Sequence, residues 1–344
     1  MMFLTRVVPA LIAASSFVQA SAVVSRSNDG EGIFYDFVDE LYKNNLTILA
    51  DNYKRIGYGE GGRYIVDTLE SGKELTILAP EDDAFDSDNK DLDPLVIEYS
   101  TLFGDIDNHF STGEHYRRGH SQTRSTGRST MSRSKGKNGK RSESESSPYD
   151  SPFQVQIIDQ FKSYWKRWTE DLILIDRPVG DAKVVKRFSF KKLKVLVIDA
   201  VLTLPPKVSK LLCSPILKTA PKGLTKFAEA LKKAGLDYVL DDKDELTLFA
   251  PVDECLDDLD KLEKDDLSSF LKNHFFFGKI VYSPLFPKIC EAKAESGKEL
   301  KFSYENDIHY VSCGKSKAVL LRKDVIPWNG VVHVIDRPLN CDYD

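Results

Sequence analysis

The sequence lacks long hydrophobic runs and a strong net charge. Beyond the N-terminal region no segment reaches about 18 consecutive apolar residues, so no later segment is predicted to span a membrane. The formal net charge of −5 does not favour a specific nucleic-acid-binding protein. Apolar residues still make up 41% of the 344 residues, so the chain can build packed cores and is long enough for two domains.

Cysteine is scarce, and all of it lies in the second half of the chain, at Cys213, Cys255, Cys290, Cys313 and Cys341. No Cys-x-x-Cys motif and no Cys/His cluster at zinc spacing occurs, so structural roles are expected rather than metal binding. An odd number leaves at least one thiol unpaired or paired between chains. Cys255 aligns with Ala84 in the repeat described below, at a position that favours a small buried residue, and it is the candidate free thiol.

Motifs of the common enzyme classes are also missing. The sequence has no G-x-S-x-G elbow, no H-E-x-x-H, no P-loop and no dinucleotide fingerprint. The acidic residues between 241 and 260 lack the spacing of a calcium loop, so a solvated acidic surface is the better interpretation. We therefore expect no enzymatic activity, no cofactor and no metal ion.

The N-terminus has the pattern of a signal peptide over residues 1–20. Arg6 supplies the positive charge, residues 7–18 form a short apolar stretch, and small residues around Ala20 suit a signal peptidase. An uncleaved anchor is the alternative, whereas cleavage would leave the chain without a transmembrane anchor. A luminal chain can be glycosylated, and Asn45 stands in the single N-glycosylation sequon, Asn-Leu-Thr.

The chain contains an internal repeat of three matching segment pairs, 75–85 with 246–256, 99–106 with 273–280, and 195–202 with 332–339. The first and last pairs are apolar and rich in β-branched residues, as buried strands are. Asp82 and Asp253 each follow the first strand and are predicted to cap the next helix. An amphipathic helix over 223–234, ended by Gly235, is predicted to correspond to a helix around residues 34–41 of the first copy.

The first copy is longer than the second because of an insertion. Gly104 and Asp199 are 95 residues apart, whereas Gly278 and Asp336 are 58 apart, an excess of 37 residues. The segment at about 111–150 has this size and is predicted to be disordered, because residues 115–141 hold nine Lys or Arg, no acid and almost nothing apolar.

Three interpretations of the insertion remain open. It can be a tolerated surface loop. It can attach the protein electrostatically to an acidic polysaccharide, a nucleic acid or an anionic membrane. It can also be a processing site, because Lys140 and Arg141 form a dibasic pair of the kind that kexin-like proteases cut.

The repeated boxes resemble those of the fasciclin family. Residues 329–336 read Asn-Gly-Val-Val-His-Val-Ile-Asp, close to the family's last box, and 246–256 resemble its first box. In the first copy Leu196 replaces the histidine of the last box. The resemblance implies an α+β fold with two tandem β-wedge or sandwich domains flanked by helices. We assign 31–205 to the first domain, interrupted by the insertion, and 206–341 to the second.

The same resemblance implies a non-enzymatic interaction or adhesion protein of the secretory pathway, similar to small fungal secretory or vacuolar members. Its partners would be proteins or polysaccharides at the cell surface, in the extracellular space, in the cell wall or in the vacuole lumen. An inert matrix or vacuolar protein, or a luminal carbohydrate-active hydrolase, is the alternative. Adhesive members use a Tyr-His region and nearby Asp-Ile pairs, which correspond here to Tyr99, Asp105, Ile106 and His274. His333 is interpreted instead as a core histidine bonded to backbone.

Two disulfide pairs are predicted from the positions of the cysteines. Cys290 and Cys313 bracket a predicted strand pair, and Cys213 and Cys341 flank the two ends of the second domain, which often lie close together. The predicted pairs are Cys290–Cys313 and Cys213–Cys341.

Overall fold

The protein is described by a computed structural model, which covers residues 32–59, 62–106, 118–128, 153–161, 172–256 and 259–341. The predicted signal peptide (1–20) and the dibasic pair Lys140-Arg141 lie outside the described residues. Of the predicted insertion, residues 118–128 are described, and they form a β-strand.

The first part of the chain contains the helices α1 (Ile33–Lys43), α2 (Thr47–Gly57), α3 (Arg63–Glu70) and α4 (Pro94–Ser100). Its strands are β1 (Leu75–Pro80), β2 (Thr101–Phe103), β3 (Arg118–Arg128), β4 (Phe153–Phe161), β5 (Leu172–Ile175), β6 (Ala182–Phe190) and β7 (Leu193–Ile198). These elements are called the first domain below.

The second part contains the helices α5 (Val208–Leu212), α6 (Thr225–Ala234), α7 (Asp237–Asp242) and α8 (Lys264–Leu271). Its strands are β8 (Leu246–Pro251), β9 (Phe275–Phe276), β10 (Glu291–Lys293), β11 (Glu299–Glu305), β12 (Ile308–Cys313), β13 (Ser316–Val325) and β14 (Gly330–Ile335). These elements are called the second domain.

The two domains share one strand order. In the first domain β1 to β7 pair in sequence and close into a barrel, with β1 and β7 parallel. In the second domain the order is β10-β11-β12-β13-β14-β8-β9, with β14 and β8 parallel. Each strand of the second sheet thus has its counterpart seven strands earlier, and the predicted repeat and α+β fold class are confirmed.

Each domain has two hydrophobic cores, one on each face of its sheet, and alternate side chains of the central strands pack into one or the other. Leu193, Val195 and Val197 of β7 pack with α1, α2 and α3, whereas Leu196 and Ile198 point to the other side of the sheet. A strand buried on both faces needs a continuous apolar sequence, which explains why β1 and β8 are buried along their whole length. Helix α1 covers one face with a stripe at i, i+3, i+4 and i+7 spacing.

The last residue of the repeated box has the same role in both domains. Asp199 Oδ1 accepts a hydrogen bond from the Lys183 backbone N–H at 2.7 Å. Asp336 Oδ1 accepts one from the Val319 N–H at 2.8 Å. Each aspartate therefore fixes the strand that precedes it in the sheet, β6 or β13.

The prediction for Asp82 and Asp253 is wrong in one respect, because each caps a helix that precedes it in sequence. Asp253 accepts hydrogen bonds from the N–H and hydroxyl of Thr225, at 2.9 and 2.8 Å, and from the Lys226 N–H at 3.0 Å. Asp82 contacts Thr47 and the following residue in the same way. The segment after each aspartate forms only a 3₁₀ turn, so the free amides that need a carboxylate are those of α2 and α6.

This shared cap shows that α2, not α1, is the counterpart of α6. Leu46 and Leu224 precede the two helices with similar backbone angles, φ −107° and −101°. The residues before them, Asn45 and Gly223, both have positive φ, at 62° and 84°. The predicted match of 223–234 with 34–41 is therefore wrong, because both α1 and α2 are amphipathic and the pattern alone does not distinguish them. Gly235 is left-handed at the end of α6, as predicted.

Replacing Asp253 by Ala is expected to lower the free energy of unfolding by about 1–2 kcal/mol, because three donors at the start of α6 lose their acceptor. Urea denaturation followed by circular dichroism measures the change. Asn is also a good capping residue, so Asp253→Asn is the matched control. A loss in the Asn variant as large as in the Ala variant would contradict the capping role.

Candidate functional site

The second domain contains a buried polar cluster formed by His333, Asp324 and Ser283, all at most 1% exposed. Asp324 precedes the end of β13 and has a left-handed backbone, with φ 61°. Its Oδ1 accepts the Ser283 N–H at 2.7 Å, and its Oδ2 accepts the Ser283 hydroxyl proton. The carboxylate therefore anchors the 3₁₀ turn Ser283–Leu285 to the sheet.

His333 of β14 completes this cluster, which we call the His333 cluster. Its Nδ1 accepts the Asp324 backbone N–H at 3.2 Å, so its Nε2 carries the proton and donates to the Val281 carbonyl at 2.9 Å. Burial lowers the pKa of His333, and the nearby Asp324 carboxylate only partly offsets this. The neutral ring stacks on Phe249, with centroids 5.3 Å apart. The interpretation of His333 as a core histidine is confirmed.

Serine, histidine and aspartate together resemble a hydrolytic triad in composition, but their arrangement differs from one. The Ser283 hydroxyl donates to Asp324 rather than to His333, whose Nε2 faces a backbone carbonyl. A nucleophilic serine needs a base within hydrogen-bond reach and access to substrate. Ser283 is fully buried, so the arrangement supports packing rather than attack on a substrate.

His274, predicted to contact a partner, lies inside the protein. It is fully buried in the 3₁₀ turn Lys272–His274, beside the rings of Phe227 and Phe270. Its Nδ1 bonds the Phe270 carbonyl at 3.1 Å, and its Nε2 accepts the Leu339 N–H at 2.9 Å. The contact prediction for His274 is therefore wrong, because both ring nitrogens bond backbone and no part of the ring reaches the surface.

The other predicted contact residues lie at the end of α4 and after β2. Ile106 is 2% exposed, and its N–H donates to Thr76 Oγ1 at 3.0 Å, so it packs in the core and the contact prediction is wrong for it. Tyr99 is also buried, at 8% exposure, which leaves little of the ring for a partner. Asp105 is partly exposed and lies 3.9 Å from the Lys194 ammonium. Among the four predicted contact residues, Tyr99, Asp105, Ile106 and His274, Asp105 alone is partly exposed.

The disulfide joins Cys313 to Cys341, and both predicted pairs are therefore wrong. Cys313 ends β12 beside the segment that follows β14, and the left-handed Gly314 lets the chain turn against Cys341, where a Cβ would lie 3.1 Å from a backbone oxygen. Cys290 and Cys213 are free and exposed. Cys255 is also a free thiol, as predicted, although it is exposed rather than buried.

Asn45, the predicted glycosylation site, lies in the turn between α1 and α2. Its side chain is exposed, and its left-handed backbone, φ 62°, suits asparagine better than other non-glycine residues. Thr47 of the same sequon starts α2 and donates to Asp82. The sequon is thus presented on the surface by a well-defined turn.

Arg322 of β13 links the two domains, and the sequence gives no signal for it. Its guanidinium contacts Asp176 Oδ1 at 2.7 Å, the carbonyls of Arg177 and Pro178 at 2.6 and 2.8 Å, and the carbonyl of Ile216. Burial raises the pKa of Asp176, and the Arg322 charge partly offsets this rise. One side chain thus gathers acceptors from the loop after β5 and from the segment before α6.

In the described part of the chain, no group of three or more His, Cys, Asp or Glu is placed to hold a metal ion. The helices described there are too short or too polar to cross a membrane.

Acid is expected to destabilise the protein through its buried histidines. Burial lowers the pKa of His274 to about 4, from an ordinary value of 6.5. Between these two values the unfolded chain binds a proton that the folded chain does not, so the free energy of unfolding falls as the pH drops from 6.5 to 4. The slope is about 1.4 kcal/mol per pH unit for such a group. Urea denaturation at pH 7, 6 and 5 measures it.

The control for this pH dependence is His274→Gln, which cannot be protonated. This variant should be less stable at pH 7, but its stability should fall less between pH 6.5 and 4. A slope identical to that of the wild type would contradict the assignment to His274.

Comparison with known proteins finds similarity in the second half of the chain. Residues 222–341 match the family model of the fasciclin domain. The fasciclin-like arabinogalactan protein elcF of Phaeosphaeria nodorum is 30% identical over 122 residues, 35% of this chain and 38% of the relative. A fasciclin-like arabinogalactan protein of Arthroderma benhamiae is 28% identical over 152 residues, 43% of this chain and 33% of the relative. The matched region thus spans between a third and two fifths of each relative.

A solved structure of a FAS1 domain pair from the insect cell adhesion molecule fasciclin I aligns with 88% of this chain and 97% of its own, at 16% identity and a TM-score of 0.40. The predicted resemblance to the fasciclin family is confirmed for residues 222–341, which match its family model.

Proposed function

We propose that this chain, with its fasciclin domain at 222–341, is a non-enzymatic interaction protein of the secretory pathway that binds protein or polysaccharide partners. The family match carries the proposal, because fasciclin families are in general adhesion-type proteins without catalytic activity. The similar fungal proteins are named arabinogalactan proteins, which favours partners at the cell surface or in the cell wall. The domain boundary is proposed at 205/206, between β7 and α5.

The hydrogen bonds of the buried polar groups support this proposal. Asp324, Ser283, His333 and His274 all bond within the protein, so they stabilise the domain rather than act on a substrate. The disulfide and the exposed sequon suit an oxidising, luminal compartment. An exposed surface on a stable, disulfide-bonded domain is what an interaction module needs.

The function is tested by binding the full-length protein to purified cell-wall polysaccharides. Sedimentation with insoluble β-glucan, chitin and an acidic polysaccharide, at low and high salt, should recover the protein with at least one of them. A variant in which Arg133, Lys135, Lys137, Lys140 and Arg141 are replaced by Gln keeps β3, and it should lose much of the salt-sensitive binding if the basic insertion attaches the protein. Absence of wild-type binding to every polysaccharide, and to cell-wall protein extracts, would contradict the proposed function.

Entry into the secretory pathway predicts glycosylation at Asn45. Expressed in a fungal host, the protein should lose one glycan, about 2 kDa or more, on endoglycosidase treatment, and Asn45→Gln should already lack it. Thr47→Ser keeps both the sequon and the hydroxyl that bonds Asp82, so it is the matched control and should remain glycosylated. A secreted wild type that shows no mass change would contradict the prediction.

A further inference from the structure

The second domain contains a cavity of about 350 Å³ between α5, α6 and α7. Its walls are mostly apolar, with Val208, Leu212 and Leu231 among the lining residues. Pockets of roughly 300–1,000 Å³ hold small molecules in other proteins. A cavity of about 150 Å³ already binds benzene, so this one can accept a larger aromatic molecule.

The equivalence of α2 and α6 shows which side chains face this position in the first domain. Both helices begin at the aspartate-capped threonine, Thr47 or Thr225. Counting from these residues places Asp51 at the position of Glu229, and Lys54 at the position of Lys232. The second domain therefore keeps an acid and a lysine at the same places on the helix, and both line the cavity.

In the first domain these two helix positions hold a tyrosine between them. The Tyr42 hydroxyl donates to Asp51 Oδ1 at 2.5 Å, and the Lys54 ammonium lies 5.4 Å from the centre of the Tyr42 ring. Tyr42 belongs to the last turn of α1, and its ring packs on the helical core. In the first domain the position that corresponds to the cavity is therefore occupied by the phenol ring of Tyr42.

The second domain has no such ring. Its α5 has five residues where α1 has 11, and the residue that follows α5 at the cavity is Cys213. The hydroxyls of Ser209 and Thr225 are already donated to Asp241 and Asp253. The remaining polar groups include the Glu229 carboxylate, together with Asp237 Oδ1, which is buried and has no hydrogen-bond partner. Both carboxylates are acceptors, so a ligand that satisfies them must bring a donor.

We propose that this cavity binds a small phenolic molecule in the place that Tyr42 occupies in the first domain. The aromatic ring lies between the apolar walls, with the Lys232 ammonium at its face, and the phenol hydroxyl donates to the Glu229 carboxylate. The proposal is independent of the polysaccharide or protein partner proposed above, because it concerns a different class of ligand.

The experiment uses the full-length protein and 2-naphthol as the probe. Cys213 lies at the cavity, whereas Cys255 and Cys290 are free and exposed elsewhere in the same domain, so they serve as internal controls. Saturating 2-naphthol should slow alkylation of Cys213 by iodoacetamide about tenfold or more, with no change at the two other thiols. Peptide mass spectrometry measures all three rates. Naphthalene, which lacks the donor, should bind about tenfold more weakly, as expected for a lost hydrogen bond to a charged group.

Three variants test the position of the ligand. Ala228→Phe fills the cavity from α6 and should abolish protection, and Glu229→Leu, on the exposed side of the same helix, should reduce the affinity about tenfold without a packing change. Tyr42→Ala should create a second 2-naphthol site in the first domain, visible as a second equivalent in calorimetry.

Three results would overturn the proposal. They are the absence of saturable protection of Cys213, equal affinity for naphthalene and 2-naphthol, and a Cys213 that is unreactive without the probe while Cys255 and Cys290 react. Polysaccharide binding that persists in Ala228→Phe would leave the proposed function intact, whatever the outcome for the phenol.

Discussion

Replacing Asp324 by Ala is expected to lower the free energy of unfolding of the second domain by about 3–5 kcal/mol, because two buried hydrogen bonds to a charged acceptor are lost, at about 1.5–3 kcal/mol each. The substitution leaves the Ser283 N–H and hydroxyl without their acceptor in a site that water does not reach. It also places alanine in a left-handed backbone, φ 61°, which costs about 1 kcal/mol. Urea denaturation followed by circular dichroism measures the loss.

Two controls separate the hydrogen bonds from the backbone effect. Asp324→Asn keeps one acceptor and tolerates the left-handed conformation, so it should lose about 1–2 kcal/mol. Ser283→Ala removes the hydroxyl alone, so its loss of stability should be similar to that of Asp324→Asn and smaller than that of Asp324→Ala. If all three variants lost less than about 1 kcal/mol, the His333 cluster would not be the anchor that its geometry indicates.

The strands of the repeat are predictable because their signals are local. Residues 75–80 and 246–251 are apolar apart from one threonine each and end at a proline, and a run buried on both faces can occur only at the centre of a sheet. The box at 329–336 is local in the same sense. Gly330 is required where β14 approaches β8, because a Cβ would lie 2.0 Å from the Leu246 carbonyl oxygen. Asn329 beside it holds the end of α7 through the Leu240 and Lys243 carbonyls.

The caps and the contact residues were harder to predict because their partners are distant in sequence. Asp253 looks like the cap of the turn that follows it, and only the packing of β8 against α6 shows that its partner is Thr225. The polar residue His274 looks like a surface residue until both of its ring nitrogens are seen to bond backbone, one of them at Leu339. A sequence pattern records residue types, whereas these roles depend on which chain segments meet in space.

The cavity of the second domain is also not predictable from the local sequence. Nothing in the sequence around Cys213 suggests a ligand, and the signal appears only when the two domains are compared helix by helix. Asp51 and Lys54 both contact Tyr42, Asp51 through a hydrogen bond and Lys54 through its ammonium above the ring. The matching pair Glu229 and Lys232 has no such ring between its side chains. The place of the missing ring is the cavity for which we propose a ligand.

Removing the disulfide is expected to lower the free energy of unfolding of the second domain by about 3–4 kcal/mol. The bond between Cys313 and Cys341 closes a loop with a sequence separation of 28, and the loss of that constraint on the unfolded chain gives this magnitude. The double substitution Cys313→Ala/Cys341→Ala avoids a leftover thiol and keeps the buried positions, which are 2% and 1% exposed, apolar. Urea denaturation of the variant, with and without dithiothreitol, measures the effect.

The wild type under reducing conditions should lose a similar amount, while the double variant should not respond to the reductant. Cys290→Ala is the matched control, because Cys290 is free and exposed, and its effect should stay within about 0.5 kcal/mol. A large loss in Cys290→Ala would instead support the pair Cys290–Cys313 that the sequence suggests. The end of the second domain depends on this bond, since residues 336–341 return to β12 there and Leu339 supplies the N–H that His274 accepts.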